Sequence, residues 1–204
     1  TPGPDLAPLF LGARAAWEGL DPTERAVQHA MWTKYGAGRA PGAFFMPYPA
    51  SAAVLSMPLA YRTWTALLAP WWALSAGALV IAGAMAGLPG DRSAWTNGTA
   101  VTAAALGIIA VTSLDVTRHS LELGQVNPLI VLVLCLAGVS LVRGWDIPTG
   151  LLIGVGASVK FLPLVLLLPA LATRRWRVPA AATTAGVAIA ALTLWVHPDW
   201  APLD

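Results

Sequence analysis

The sequence predicts an all-α fold, a polytopic transmembrane helix bundle with extracytoplasmic amphipathic helices near its N-terminus. Three observations predict it. Of the 204 residues, 57% are hydrophobic and 11% charged, with a mean hydropathy of +0.67. Soluble chains carry about 25% charged residues, and a soluble fold of this length would leave roughly 30% of its unfolded surface in water. Long stretches, 64–88, 98–114, 126–142 and 178–196, carry no charge at all. Most of the ten tryptophans fall at the ends of apolar runs, where an aromatic belt meets the headgroups.

Residues 1–63 hold nine of the 22 charged side chains and read as an extracytoplasmic loop with surface helices. Leu6, Leu9, Phe10, Ala13 and Trp17 recur at helical spacing, with Asp5, Arg14 and Glu18 among the polar positions. Such a helix is expected to lie along the membrane surface. Asp21-Pro22-Thr23-Glu24 predicts an N-cap, a proline at the first helical position and a capping-box glutamate, opening a second helix to about Tyr35. Gly36 to Pro49 is a loop, and Pro49 to Ala60 a short apolar helix dipping toward the bilayer.

Residues 64–204 form the transmembrane region. A crossing helix needs about 20 apolar residues, with about 17 as the lower limit, so the four uncharged runs qualify as spans. The fifth apolar region, 147–172, contains only Lys160. Read as a helical hairpin turning near Lys160 and Pro163, it puts Arg174, Arg175 and Arg177 on the side of Arg92 and Arg143, opposite Arg118. Lysine and arginine accumulate in short cytoplasmic loops, and a single long helix would break that asymmetry. The hairpin is therefore preferred, with arms of about 18–20 Å at 1.5 Å per residue. Residues 1–63, 115–125 and Lys160 then share the extracytoplasmic side of a multi-pass protein of the plasma (inner) membrane. The chain opens at Thr1-Pro2-Gly3-Pro4 and stops at Asp204, shortly after an apolar run, and is expected to be an internal piece of a longer membrane protein.

Several chemistries are excluded. A net charge of +2 leaves no nucleic-acid footprint. The single cysteine, Cys135, rules out an internal disulfide framework and a cysteine zinc site. His29, His119 and His197 lack the spacing of a metal site, so no metal and no cofactor is expected. There is no Gly-rich phosphate loop, nucleophile elbow or metalloprotease motif. Asn97-Gly98-Thr99 falls in a cytoplasmic connector and is a chance match to the glycosylation pattern. Arg174-Arg175-Trp176-Arg177 reads as a topology anchor touching anionic headgroups.

Three features could carry chemistry. Asp5 stands ahead of the first helix, either as an N-cap or as a general base taking a proton from a hydroxyl. In His119-Ser120-Leu121-Glu122-Leu123-Gly124-Gln125-Val126-Asn127-Pro128, the amides Gln125 and Asn127 stand at the mouth of a span. They either cap or cross-link helices, or hold sugar hydroxyls, which need paired donors and acceptors. Lys160 is the only ionised side chain inside an apolar run. Its stem could snorkel to the interface, but an intramembrane charge points to a functional site with an anionic partner. A lipid phosphate would serve.

Gly124-Gln125-Val126-Asn127-Pro128-Leu129-Ile130, then Gly154-Val155-Gly156-Ala157-Ser158-Val159-Lys160-Phe161-Leu162-Pro163, then Arg174-Arg175-Trp176-Arg177 together resemble glycosyltransferase family 87. This is the polyprenyl-phosphate-mannose-dependent alpha-mannosyltransferase group of the GT-C membrane class. Upstream, Asp5, Gly19-Leu20-Asp21-Pro22 and Tyr48-Pro49 are similar to the family's aspartate, glycine stretch and tyrosine-proline entry to a short helix. Thr23 stands where the family often has tyrosine, and Ala50 replaces a second proline.

The resemblance implies a GT-C-type bundle and a hexosyltransferase that works with inversion. Its partners would be a polyprenyl-phosphate sugar donor, with mannose as the sugar, a glycan or glycolipid acceptor, and membrane lipid. Asp5 would be the catalytic base. Lys160, assisted by Arg118 or His119, would stabilise the departing lipid phosphate. Gln125, Asn127 and Tyr48 would bind substrate. The rival from another class is a transporter or channel fragment with Lys160 lining the path, for which inverted repeats would speak; none is found. A purely structural subunit would leave the lysine, the amides and the aspartate as coincidences.

Overall fold

Apolar backbone in hydrocarbon must satisfy its own polar groups, which favours helices. The structure, a computed structural model, describes residues 6–35, 48–87 and 97–198, and no strand occurs among them. The described residues form ten α-helices in order: α1 Leu6–Trp17, α2 Arg25–Tyr35, α3 Ala50–Leu55, α4 Trp64–Gly87, α5 Asn97–Thr112, α6 Asp115–Leu123, α7 Asn127–Val142, α8 Asp146–Val159, α9 Leu167–Ala172 and α10 Arg177–Val196. Short 3-10 turns at Met57–Tyr61 and Leu162–Leu166 link α3 to α4 and α8 to α9. Among the described residues, two helices, Thr65–Met85 and Arg177–Val196, are long and apolar enough to cross a membrane.

The long helices pack in a row: α5 on α4, α4 on α7, α7 on α8, α8 on α10. Small residues set the last of these contacts. A Cβ added at Gly154 would lie 2.5 Å from the Ala182 carbonyl oxygen and 2.7 Å from Ala185 Cβ, so glycine lets the α8 and α10 backbones approach closely.

The chain turns back after α8. Lys160 is extended (φ −152°, ψ 132°), and Pro163, inside the following 3-10 turn, has no N–H with which to continue the helix. A Cβ on Gly156 would come within 2.9 Å of both Pro163 Cγ and Val133 Cγ1, so the returning segment lies against α8 and α7 at the turn. Ala170 of α9 joins Ala137, Ile153, Val178 and Ala182 in one buried cluster. At the far end Arg175 Nε donates to Asp146 Oδ1 at 2.6 Å, and its guanidinium also reaches the Leu141 carbonyl. Arg175 is thus an internal clamp and not the headgroup contact expected of the arginine cluster; Arg174 and Arg177 remain exposed.

The N-terminal helices differ from their sequence reading in three respects. α1 is buried around nearly its whole circumference from Leu6 to Ala16, with Arg14 only half-buried, because α2, α3 and the Met57–Tyr61 turn all pack on it. Its polar residues are consumed internally. Arg14 donates to the Arg62 carbonyl at 2.9 Å and its guanidinium lies 4.6 Å from the Tyr35 ring centre. Glu18 accepts from Lys34 at 2.9 Å and from the Tyr35 hydroxyl. The second difference is the start of α2. Asp21 accepts from the Thr23 N–H and hydroxyl, both at 2.7 Å, an Asx turn that delays the helix to Arg25. Likewise the apolar segment after Pro49 is not one helix but α3 followed by the 3-10 turn that contains Pro58.

Candidate functional site

α6 ends in a Schellman motif. Gly124 adopts φ 70°, its N–H reaches the Leu121 carbonyl at 3.1 Å, and the Gln125 N–H reaches the Ser120 carbonyl at 2.9 Å. A side chain at this left-handed position would be strained. The indole of Trp71, from α4, donates to the Gly124 carbonyl at 3.0 Å and ties the turn to the bundle. The turn delivers Gln125 and Asn127 to the start of α7, where Pro128 occupies the first turn without losing a needed N–H.

Lys160 arrives from the opposite direction, at the end of α8. Ser51 of α3 donates to the Ser158 carbonyl at 2.8 Å, satisfying one of the terminal carbonyls that a helix end leaves open. Lys160 Nζ then donates to Asn127 Oδ1 at 2.7 Å. With its oxygen so engaged, Asn127 turns its amide nitrogen to Gln125 Oε1. Gln125 Oε1 also accepts from the Ser120 hydroxyl at 3.0 Å. Lysine, asparagine, glutamine and serine from three helix ends therefore form one connected network, and the lysine is its exposed member.

Beneath it lies a single apolar cluster of Leu6, Leu9, Ala52, Trp71, Val126 and Ile130, with Tyr48 and Val159 packed against it. Val126 separates the two amides in the chain, and Val159 precedes the lysine. The cluster thus joins the start of α1, the entry to α3, α4, α7 and the tip of α8 under one site.

Of the residues singled out in the sequence, the structure brings Lys160, Gln125 and Asn127 into hydrogen-bond contact. Tyr48 is half-buried on the apolar cluster below them. Arg118 and His119 are not joined to this network by any described contact; Arg118 Nε lies 3.1 Å and His119 Nδ1 3.9 Å from the Glu122 carboxylate on an exposed face of α6. Asp5 lies outside the described residues. Sequence reasoning missed Ser120, Trp71 and Ser51. The spacing of Ser120 five residues ahead of Gln125, across a glycine, was the available signal for the first. Trp71 and Ser51 act only through the tertiary fold.

Chemically, an ammonium held by a neutral carbonyl keeps its full positive charge and further N–H donors for an anion. The amide oxygens are already engaged within the network, so its outward character is that of a cation. No curated protein and no solved structure significantly matches the chain. A family model does: Glycosyltransferase family 87, matched over residues 45–203, a stretch that holds the turn at Gly124, both amides and Lys160. With that match and its apolar helices, the chain belongs to glycosyltransferase family 87 and is a membrane glycosyltransferase.

Proposed function

We propose that the protein transfers a hexose, mannose, from a polyprenyl-phosphate donor to a glycan or glycolipid acceptor, with inversion, at the extracytoplasmic face of the plasma membrane. Asp5 takes the proton of an acceptor hydroxyl. The hydroxyl oxygen forms the new bond to the anomeric carbon. The bond from that carbon to the phosphate oxygen breaks, and the electron pair leaves with the polyprenyl phosphate. Lys160 compensates the charge that gathers on that phosphate, a role a lysine fills as a point charge.

The observation that carries this reading is the setting of Lys160. It is an exposed ammonium at the tip of an apolar helical hairpin, and its partner among the described residues is the neutral Asn127 carbonyl at 2.7 Å. A lysine meant only to anchor the hairpin needs no second helix end to hold it. Leu6, which follows Asp5 in the chain, packs in the same apolar cluster as Val126 and Val159, in keeping with an aspartate that works beside the amides and the lysine. Membership in a glycosyltransferase family sets the transporter reading aside.

The test is transfer of labelled sugar from a polyprenyl-phosphate donor in membranes expressing the full-length protein, wild type beside Asp5→Asn. Transfer by wild type and none by an equally abundant Asp5→Asn supports the donor and the base together. Equal transfer by both removes Asp5 from catalysis.

A further inference from the structure

Ser120 is 5% exposed and lies under the two amides. Its hydroxyl hydrogen goes to Gln125 Oε1 at 3.0 Å. Its oxygen lone pairs lie 3.5 Å from Asn127 Nδ2. The Asn127 nitrogen therefore faces two acceptors, Gln125 Oε1 and Ser120 Oγ, while its carbonyl faces the Lys160 ammonium. Turning that amide over would set its nitrogen against the Lys160 ammonium and its oxygen against Gln125 Oε1, both repulsive. Gln125 Oε1, held in place by the serine hydroxyl, and the lysine thus select the same orientation from opposite ends of one side chain.

We propose that Ser120 is a positioning residue for Lys160. Its buried hydroxyl holds Gln125 and fixes the orientation of Asn127, so that a carbonyl meets the ammonium and aims it at the anion. This rests on the reading of Lys160 as the group that meets the donor phosphate. Ser120 touches no substrate; it acts through two amides, and its loss is felt at the lysine.

The experiment measures kcat and KM for labelled transfer from the polyprenyl-phosphate donor, in membranes containing the full-length protein. The variants are Ser120→Ala, Ser120→Thr, Ser120→Cys, Lys160→Met and the Ser120→Ala/Lys160→Met double variant, each normalised to its abundance. One neutral hydrogen bond sets the scale, so Ser120→Ala is expected to lower kcat about fivefold. Ser120→Cys, with the same shape and a weak donor, falls with it, while Ser120→Thr, which keeps the hydroxyl, stays within about twofold of wild type. In the Lys160→Met background, removing the serine hydroxyl costs nothing further, because residues acting as one unit are not additive.

Wild-type kcat in both Ser120→Ala and Ser120→Cys would overturn the inference. So would the same fivefold loss repeated in the Lys160→Met background, which would mark a structural role for Ser120 while leaving the phosphate role of Lys160 standing. Wild-type kcat in Lys160→Met would instead remove the phosphate role itself, and the inference with it.

Discussion

Lys160 Nζ donates to Asn127 Oδ1 at 2.7 Å across 33 residues of sequence, and this bond joins the tip of the α8 hairpin to the start of α7. It links the two segments on which the resemblance to glycosyltransferase family 87 turns. A neutral acceptor at this position orients the ammonium without cancelling its charge.

That neutrality is testable. Asn127→Asp keeps the shape and places a carboxylate against the lysine, forming an ion pair in which the ammonium is already compensated. Donor KM should rise and transfer should fall by up to about fivefold, on the scale of about 1 kcal/mol for a pair near a surface. Undiminished transfer by Asn127→Asp would mean that the free charge of Lys160 is not used.

Arg174 is the non-glycine residue with positive φ, 56°, among the described residues. It occupies the left-handed position of the Schellman motif that ends α9, with its own N–H on the Leu171 carbonyl at 3.0 Å and the Arg175 N–H on Ala170 at 2.9 Å. The left-handed conformation costs an ordinary residue about 1–2 kcal/mol. Arg174→Gly should therefore stabilise the protein by about 1 kcal/mol and raise its thermal midpoint in detergent by about 2–4 °C, with transfer unchanged. A lowered midpoint would mean that the exposed Arg174 side chain contributes more than its backbone strain costs.

The α1–α2 contact carries a pH signature. The Tyr35 hydroxyl and, after it, the Lys34 ammonium hold the Glu18 carboxyl below its ordinary value of 4.5. A carboxyl depressed in the folded state stabilises it fully above the unfolded value, and that contribution disappears as pH falls through the folded one. Lys34 shows the mirror case. The Glu18 carboxylate, with Tyr35, raises it above 10.5, so its contribution is present below that value and is lost as pH climbs through the higher folded one. Glu18→Gln should thus lower the thermal midpoint at neutral pH, and the difference from wild type should close as pH drops below about 4.5. A difference that stays constant over that range would contradict the assignment.

The parts of this structure legible in the sequence are those written in local pattern. Uncharged runs became helices, and the one lysine inside an apolar run marked the candidate site, where it meets Asn127. Gln125 and Asn127 were visible because amides are conspicuous at the mouth of an apolar span. What escaped was set by tertiary contact. The spacing of Leu6, Leu9, Phe10, Ala13 and Trp17 suggested a half-exposed helix, yet Arg14 and Glu18 find their partners in Tyr35, Lys34 and the Arg62 carbonyl, so the polar face is covered as well. Asp21 looked like a helix cap, but Thr23 takes its carboxylate first. The arginines after α9 looked equivalent, and only the left-handed turn at Arg174 shows why Arg175 alone folds inward to Asp146. Ser120 gave no signal as a residue type; its role comes from the turn at Gly124.

The central claim is that Lys160 carries the charge compensation of the departing phosphate, and replacing it by an uncharged side chain of similar length tests this most directly. Transfer of labelled sugar from a polyprenyl-phosphate donor by full-length Lys160→Met, at equal abundance, should show kcat reduced about a hundredfold or more, the scale of losing one preorganised charge-stabilising donor. A Lys160→Met protein that transfers at the wild-type rate would contradict the account.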